Sequence, residues 1–425
     1  MQGRRALLFV APLMPAEGGN GLAMRAAMFL EGLARDFDVT LLVIPVAGGS
    51  AAVSPFVRRR TRRVEVLALD GTTDALWDLS ARIRDPAERA AALAAYPRPA
   101  LCRHASAPCL EAVRTAIGGS RFDVVHVMRS YLAPYAAPFL VDGSDAPIAF
   151  ASVDLDDDEA RTHRRLSDLY AQHGQHDDAR IAAAEADKYE RHEAEWLPRF
   201  RLRIGCTREH ALAATTTHLG GIPAVVPNTV ALPWRMPALL GRRRERSGGN
   251  VLFVGNLSYF PNVEGIRHFA LETMQALRSR SGRDISLRIA GSAPAPEVVA
   301  LAAHPGVELV VDPPRLAGHY RWADVCVVPI AVGGGTRIKL LEAFAHEVPV
   351  VSTRLGAEGI AAENGEHLLL AERDDGFVDA CLAVLSDRAL AARLARNARR
   401  LVESRYSREA GVEMIRAAFA PALQP

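Results

Sequence analysis

The chain has 425 residues, a length that predicts two to three domains. Hydrophobic residues make up 49% and charged residues 24%, an ordinary globular composition that excludes a disordered or collagen-like chain. The 51 basic and 49 acidic side chains leave a net charge of +2, so a nucleic-acid binder would need a strong local basic patch. We expect no nucleic-acid partner.

Cysteine usage and hydropathy indicate the compartment. The five cysteines are odd in number and show no CxxC spacing, which predicts neither a disulfide framework nor a zinc site and indicates a reducing compartment. No window approaches a membrane span, and the apolar run at 6–12 is too short for a signal peptide core. We therefore expect a cytoplasmic protein. The arginine-rich run 58–63 is typical of a solvated loop, and contact with anionic lipid at the inner face of the membrane stays open.

The first half of the chain alternates short apolar runs with helical patterns, beginning with a strand, a glycine-rich turn at 12–21, a helix and a second strand. This is the pattern of a βαβ unit. Further helices are predicted at 74–95 and 179–196. The predicted strands are 6–11, 39–44, 63–69, 123–127, 148–153, 202–205 and 224–226.

The alternation restarts after a polar stretch rich in proline, arginine and glycine at 236–249, which we interpret as a hinge. Helices are predicted at 262–280 and 338–345, and packed helices across 374–422. The predicted strands are 250–255, 286–291, 307–311, 324–329 and 348–352. Two such runs predict an α/β protein with two doubly wound, Rossmann-like domains that face a cleft, with ligands at the carboxyl ends of the strands. The predicted domains are 1–235 and 250–405, with a C-terminal helix at 406–425 packing back on the first.

The segment 328–343 holds the most informative motif, because a strand ends, three glycines turn the chain and a helix begins. Bare amides at a helix N-terminus bind anions, and glycines let a phosphate approach the backbone. Lys339 is one of two lysines among the 51 basic residues, and a cation in the first helical turn is unfavourable unless an anion lies there. Glu342 is placed to accept hydrogen bonds from ribose. A plain strand-to-helix turn is the alternative. The candidate donor-binding residues of this turn are Gly333, Gly334, Gly335, Thr336, Arg337, Lys339 and Glu342.

The stretch 329–353 resembles the donor-site signature of GT-B glycosyltransferases, especially retaining family 4. That signature pairs two glutamates eight positions apart, followed by an alanine-rich helix and a Pro-Val-Val strand. Glu342 matches the second glutamate, whereas the first would fall at Gly334. The sequence Gly-Gly-Thr-Arg-Ile-Lys there, with segments 254–262 and 356–360, resembles a subgroup of bacterial polysaccharide and sugar transferases. The resemblance is strong over 250–405.

The resemblance implies a GT-B enzyme that transfers a sugar from a nucleotide diphosphate donor with retention, without a metal or a separate cofactor. Many members carry an arginine and a lysine after the first strand of the second domain to hold the diphosphate. Here that loop follows Gly255 and carries Asn256 and Asn262 instead. We therefore predict that Arg337 and Lys339 supply the missing charge, and we include Gly255 and Asn256 among the donor-binding residues.

The first domain offers weaker candidates for the acceptor side and catalysis. Its loop glycines Gly19 and Gly21, with Arg25 after them, resemble the family's first glycine-rich loop beside the diphosphate and the acceptor. Four aspartates follow a strand: Asp154, Asp156, Asp157 and Asp158. At least one of them, above all Asp154, is a candidate base or acceptor ligand; an acidic helix start is the alternative. Many members have a histidine that contacts the reacting sugar two positions after His126. His126 is thus a candidate catalytic residue or a core histidine.

The sequence leaves the acceptor open among a glycan, a lipid-linked molecule and a small natural product. Two other functions also remain open. One is a different GT-B enzyme, either an inverting natural-product glycosyltransferase or a nucleotide-sugar epimerase. The other is a nucleotide-sugar-binding module that has lost catalysis.

Overall fold

The computed structural model describes residues 3–19, 21–49, 52–140, 150–216, 220–233, 248–333 and 337–424. The chain forms two compact units. Unit 1 comprises Met1–Asn228 with Gly411–Pro425, and unit 2 comprises Thr229–Ala410. Residues 236–247 of the predicted hinge lie outside the described residues.

Unit 1 contains a parallel sheet whose seven described strands have the order β3-β2-β1-β4-β5-β6-β7. The predicted strands are confirmed with small shifts at their ends, and residues 148 and 149 of the fifth lie outside the described part. The strands are β1 Ala6–Ala11, β2 Asp38–Val43, β3 Arg63–Val66, β4 Val124–Met128, β5 Phe150–Asp156, β6 Leu202–Gly205 and β7 Ile222–Val225.

Helices pack on both faces of this sheet. Because both faces are covered, every residue of β1 meets apolar surface. Leu7 and Phe9 join the core on one face, and Leu8 and Val10 join the core on the other. A strand covered on both faces needs a continuous apolar run. The helices are α1 Gly21–Asp36, α2 Pro55–Arg58, α3 Ala75–Ala81, α4 Pro86–Ala95, α5 Ala107–Ile117, α6 Ala133–Ala136, α7 Glu159–Gln172, α8 His176–Trp196, α9 Arg208–Thr216 and, near the C-terminus, α17 Arg408–Phe419.

The single helix predicted at 74–95 forms two helices, α3 and α4. The second begins with Asp85 as N-cap, whose side chain accepts a hydrogen bond from the Glu88 N–H, and with Pro86 in its first turn. Proline at a first helical position and an aspartate cap are signals of a new helix. The apolar periodicity continues across the break and hides it.

Unit 2 contains a second parallel sheet, whose described strands have the order β10-β9-β8-β11-β12-β13. The strands are β8 Gly249–Asn256, β9 Ile285–Ser292, β10 Val307–Val311, β11 Val325–Val328, β12 Val350–Ser352 and β13 Leu369–Leu370. The helices are α10 Phe260–His268, α11 Met274–Ser281, α12 Pro296–Leu301, α13 Ala317–Trp322, α14 Ile338–Ala345, α15 Asp375–Ser386 and α16 Arg388–Leu401.

Each sheet reverses its strand order once, between β1 and β4 in unit 1 and between β8 and β11 in unit 2. In open α/β sheets, ligands bind outside the carboxyl ends of the strands at this reversal. The loops after these four strands are therefore the places where function is expected. Among the described residues, no helix is both long and apolar enough to cross a lipid bilayer.

The C-terminal helix α17 packs against α1 within unit 1. The ring of Phe419 lies 6.1 Å from that of Phe37, measured between ring centroids. Gly32 lets the two helices approach, because a Cβ atom at this position would lie 2.9 Å from Cγ2 of Ile415. Ile415 itself is fully buried.

We predict that Gly32→Ala lowers the unfolding temperature, because the added methyl group meets buried Ile415 and overpacking typically costs about 1–3 kcal/mol. Gly318→Ala in α13 is the matched control, because no atom lies within 4 Å of its Cβ position. Thermal melting of both variants checks the prediction. A Gly32→Ala variant as stable as Gly318→Ala would contradict it.

Candidate functional site

The carboxyl edge of the unit 2 sheet presents bare backbone where β8 ends. Gly255 pairs with Gly291 of the neighbouring strand β9. A Cβ atom on Gly291 would lie 1.8 Å from the carbonyl oxygen of Gly255, so only glycine fits there. A Cβ atom on Gly255 would lie 3.0 Å from Nζ of Lys339. The absence of side chains on these strands therefore makes room for the lysine.

Lys339 lies in the first turn of α14 and reaches back over the end of β8. Its Nζ donates a hydrogen bond to Oδ1 of Asn262 at 2.6 Å and lies 4.4 Å from the centroid of the Phe253 ring. The amide of Asn262 in turn donates to the carbonyl of Asn256 at 2.8 Å. Among the described residues Lys339 forms no salt bridge, although it is partly buried. The two asparagines, Asn256 and Asn262, thus hold the lysine.

The electrostatic environment of Lys339 disfavours its own charge. Burial lowers its pKa to about 7, and the positive charge of Arg337 contributes in the same direction. Arg337 is the N-cap residue of α14, and its guanidinium lies next to Gly333, whose φ of +126° only glycine readily adopts. Two cations at the N-terminus of one helix form a site that favours an anion.

Glu342 follows Lys339 by three residues and is fixed by a tyrosine. The hydroxyl of Tyr320 donates to Oε2 of Glu342 at 3.0 Å. Burial raises the pKa of Glu342, while this hydrogen bond and Lys339 act in the opposite direction. The carboxylate therefore lies one turn along the helix from the cationic end.

The structure describes part of the predicted glycine turn. Gly334, Gly335 and Thr336 lie outside the described residues. The structure does bring the other candidates of unit 2 to one edge of the sheet. These are Gly255, Asn256, Gly333, Arg337, Lys339 and Glu342. Two further residues of this edge were not among the candidates, Asn262 and Tyr320, and of these only Asn262 lies in a segment that the sequence singled out.

In unit 1, Asp154 and Arg25 form a buried ion pair. Nε and Nη2 of Arg25 donate to the two carboxylate oxygens at 2.7 and 2.6 Å. Neither side chain has exposed surface. Arg25 also donates to Oδ1 of Asn228 at 3.1 Å. In this arrangement Asp154 holds α1 to the end of β5, and both candidates lie in the interior of unit 1.

A second ion pair extends the network to the surface. Asp156 accepts hydrogen bonds from Asn228 at 2.9 Å and from Cys206 at 3.0 Å, and forms a salt bridge with Arg129 at 2.8 Å. Burial by itself would raise the pKa of Asp156, but Arg129 and Arg25 together lower it below its ordinary value. Arg129 also pairs with Glu159. This network joins the ends of four neighbouring strands.

Arg129 and Asp156 adopt backbone conformations that are rare for residues other than glycine, with φ of 73° and 55°. The backbone N–H of Arg129 donates to the carbonyl of Asp154 at 2.6 Å. Such strained positions persist only where the surroundings fix them, and they cluster at functional sites. Sequence reasoning did not select Arg129, whereas Asp156 is one of the four aspartates after the fifth predicted strand among which Asp154 was the preferred candidate.

His126 occupies the apolar core of unit 1. Its ring lies 4.8 Å from Phe29, 5.2 Å from Phe9 and 5.3 Å from Phe419, measured between centroids. Its Nδ1 lies 3.0 Å from Oγ of Ser152. Burial lowers its pKa to about 3, so the imidazole is neutral near pH 7. Of the two alternatives for this residue, the structure shows the arrangement of a core histidine.

The glycine-rich loop of unit 1 lies at the reversal between β1 and β4. Gly19 has a φ of +91° with open space around its Cβ position, and Gly21 is the first residue of α1. Open space at a helix N-terminus leaves room for a ligand without identifying one. Among the described residues, no group of three or more histidine, cysteine or acidic side chains is placed to hold a metal ion.

Part of the chain matches known protein sequences. Residues 248–387 match the family model described as glycosyl transferases group 1. An uncharacterized 44.6 kDa protein in the cps region of Klebsiella pneumoniae is 30% identical over 130 residues, which cover 29% of this chain and 33% of that protein. The match thus spans about a third of the curated relative.

Solved structures resemble the chain over nearly its whole length. Sucrose-phosphate synthase from Thermosynechococcus elongatus has a TM-score of 0.63 at 15% identity, covering 98% of this chain and 100% of that one. TarM has a TM-score of 0.65 at 10% identity, covering 99% of both chains. The chain has the GT-B fold. Anabaena HepE, solved with UDP and glucose, has a TM-score of 0.60 at 13% identity and covers 99% of both chains. At such identities these neighbours show the fold, and the predicted fold class is confirmed.

We predict that Asp154→Asn lowers the free energy of unfolding by about 3 kcal/mol, because it removes the nearer carboxylate from buried Arg25 and leaves only Asp156, whose Oδ1 lies 3.5 Å from Nε of Arg25. Urea denaturation checks this value. Asp178→Asn, at an exposed position in the first turn of α8, is the control and should change little. If Asp154→Asn keeps wild-type stability and loses only activity, Asp154 is catalytic and the structural role is wrong.

Proposed function

We propose that the chain is a glycosyltransferase that moves a sugar from a nucleotide diphosphate donor to an acceptor, and that unit 2 binds the donor. The family match at 248–387 covers the described donor-site candidates. HepE, which shares the fold, is solved with UDP and with UDP-glucose. We extend that class of donor to this chain.

One observation carries the proposal: the Lys339 ammonium lies against glycine backbone without a carboxylate partner among the described residues. Holding a partly buried cation in this way costs free energy unless an anion compensates it. A diphosphate would do so, because it brings negative charge to Lys339, Arg337 and the amides of α14 together. The same charges then stabilise the diphosphate as it leaves the sugar.

Glu342 supplies the complementary recognition. A carboxylate accepts hydrogen bonds and donates none, so it suits the hydroxyl groups of a ribose. Its position one helical turn beyond Lys339 separates the ribose contact from the diphosphate contact. Together the two residues recognise a nucleotide rather than a free phosphate.

The remaining features of the proposed reaction rest on the resemblance to family 4. They are retention at the anomeric carbon and independence of metal ions, with the cations of α14 providing the charge that a metal would otherwise provide. We assign the acceptor to unit 1, where the loop around Gly19 and Gly21 lies at the carboxyl edge of the sheet. Activity in excess EDTA and the anomeric configuration of the product test these features.

We predict that Lys339→Ala and Glu342→Ala each weaken binding of the donor nucleotide about 10- to 100-fold, as expected for the loss of a charge-assisted hydrogen bond. Calorimetric titration with UDP, GDP, ADP and dTDP identifies the nucleotide and measures the effect. Arg400→Ala, at an exposed position in α16, is the control and should bind as the wild type does. Unchanged affinity in both site variants would refute the donor site.

Donor binding should also depend on pH through Lys339. Its pKa in the free protein is about 7, and a bound diphosphate raises this pKa, so binding takes up a proton. Affinity is then full below pH 7 and falls as the pH rises, at most about tenfold per pH unit. A sugar nucleotide is the right probe, because its diphosphate is fully ionised throughout this range.

Lys339→Arg provides the test of that assignment, since arginine stays protonated in proteins. We expect the fall in affinity between about pH 7 and 9 to disappear in this variant. An identical pH profile in Lys339→Arg and the wild type would show that another group titrates.

A further inference from the structure

Tyr320 lies behind the donor-site glutamate and is buried to 1% exposure. It belongs to α13, which precedes β11 in the chain. Its ring stacks on that of His346, with 4.7 Å between centroids and 12° between planes. His346 is the C-cap residue of α14. The tyrosine ring is therefore fixed against the same helix that carries Glu342.

The hydroxyl of Tyr320 orients the Glu342 carboxylate. It donates to Oε2 at 3.0 Å, with the carbonyl oxygen of Lys339 farther away at 3.5 Å, and stacking on His346 fixes the ring. A glutamate on a helix otherwise samples several rotamers. Oε1 has no hydrogen-bond partner among the described residues, and the side chain is only partly buried. One oxygen is thus held inside the protein and the other is left as an acceptor.

A hydrogen-bond donor to a partly buried carboxylate has a second effect. Burial raises the pKa of Glu342, and the Tyr320 hydroxyl works against that rise. The tyrosine therefore helps to keep the glutamate ionised near neutral pH. An ionised carboxylate accepts stronger hydrogen bonds from hydroxyl groups than a neutral one.

We propose that Tyr320 is a positioning residue that makes the site selective for ribonucleotide donors: it holds one oxygen of Glu342 so that the other accepts hydrogen bonds from the ribose 2′ and 3′ hydroxyls. This inference rests on the proposed donor site. It adds a substrate class, because sugars carried on a 2′-deoxynucleoside diphosphate lack one of the two hydroxyls. A site built to bind a hydroxyl discriminates strongly against the analogue that lacks it.

The test compares each ribonucleoside diphosphate with its 2′-deoxy counterpart, using UDP with dUDP, GDP with dGDP and ADP with dADP. For the nucleotide that binds, we expect the wild type to prefer the ribose form about 10- to 100-fold. Tyr320→Phe keeps the ring and removes the hydroxyl. It should reduce this preference severalfold, because it weakens binding of the ribonucleotide more than binding of the 2′-deoxynucleotide. A merely structural role would weaken both forms equally.

Tyr406→Phe is the matched control. Tyr406 is another buried tyrosine of unit 2, and its hydroxyl accepts a hydrogen bond from the backbone N–H of Ala361 at 2.8 Å. This variant should keep the wild-type preference. A full preference retained in Tyr320→Phe would overturn the proposal.

Glu342→Asp gives a second test that leaves Tyr320 in place. The shorter side chain withdraws the carboxylate from the tyrosine, so the preference for the ribose form should fall as it does in Tyr320→Phe; if it persists, the proposal is wrong. Failure of the proposed function gives a different result, because then neither dTDP nor any nucleotide of the three pairs binds the wild type. Binding of dTDP alone would overturn the selectivity for ribose and leave the proposed function standing. Melting curves confirm that each variant is folded.

Discussion

A partly buried lysine without a carboxylate partner among the described residues is the constraint on which the proposed donor edge of unit 2 depends. Lys339 lies there because Gly255 carries no side chain, and because Asn262 binds its ammonium. A carboxylate in the place of Asn262 would form a salt bridge with Lys339 and neutralise its charge. The neutral amide of Asn262 instead fixes the position of the Lys339 ammonium and leaves its positive charge uncompensated. That combination is unfavourable in isolation and favourable with a bound anion.

In unit 1, by contrast, the positive charges of Arg25 and Arg129 are paired with carboxylates. Asp156 forms a salt bridge with both arginines. The Asn228 amide accepts a hydrogen bond from Arg25 and donates one to Asp156. Such a network is satisfied without a ligand, so it fits a structural role for Asp154. It also fixes the strained backbone of Arg129 at the carboxyl edge of the sheet. The two edges thus differ in the property that matters for binding: Lys339 in unit 2 forms no salt bridge among the described residues, whereas Arg25 and Arg129 in unit 1 have carboxylate partners.

The sequence predicted the fold well, because strands covered on both faces must be continuous apolar runs, and glycine marks the turns that follow them. It grouped the donor-site candidates Arg337, Lys339 and Glu342 because they lie within one local motif. It could not predict the pairing of Arg25 with Asp154, which are 129 residues apart. It also gave no sign of Tyr320, whose role depends on α13 packing against α14. For His126, the pattern allowed a core or an edge position, and packing among three phenylalanines decided between them.

Hydrogen exchange of the backbone amides in the full chain, with and without a saturating sugar nucleotide, measures the central claim most directly. If the donor binds at Lys339, binding slows exchange in the peptides containing the end of β8 and the first turn of α14, around Asn256 and Lys339, and this protection is lost in Lys339→Ala. Protection confined to other segments, or unchanged in Lys339→Ala, would contradict donor binding at this edge.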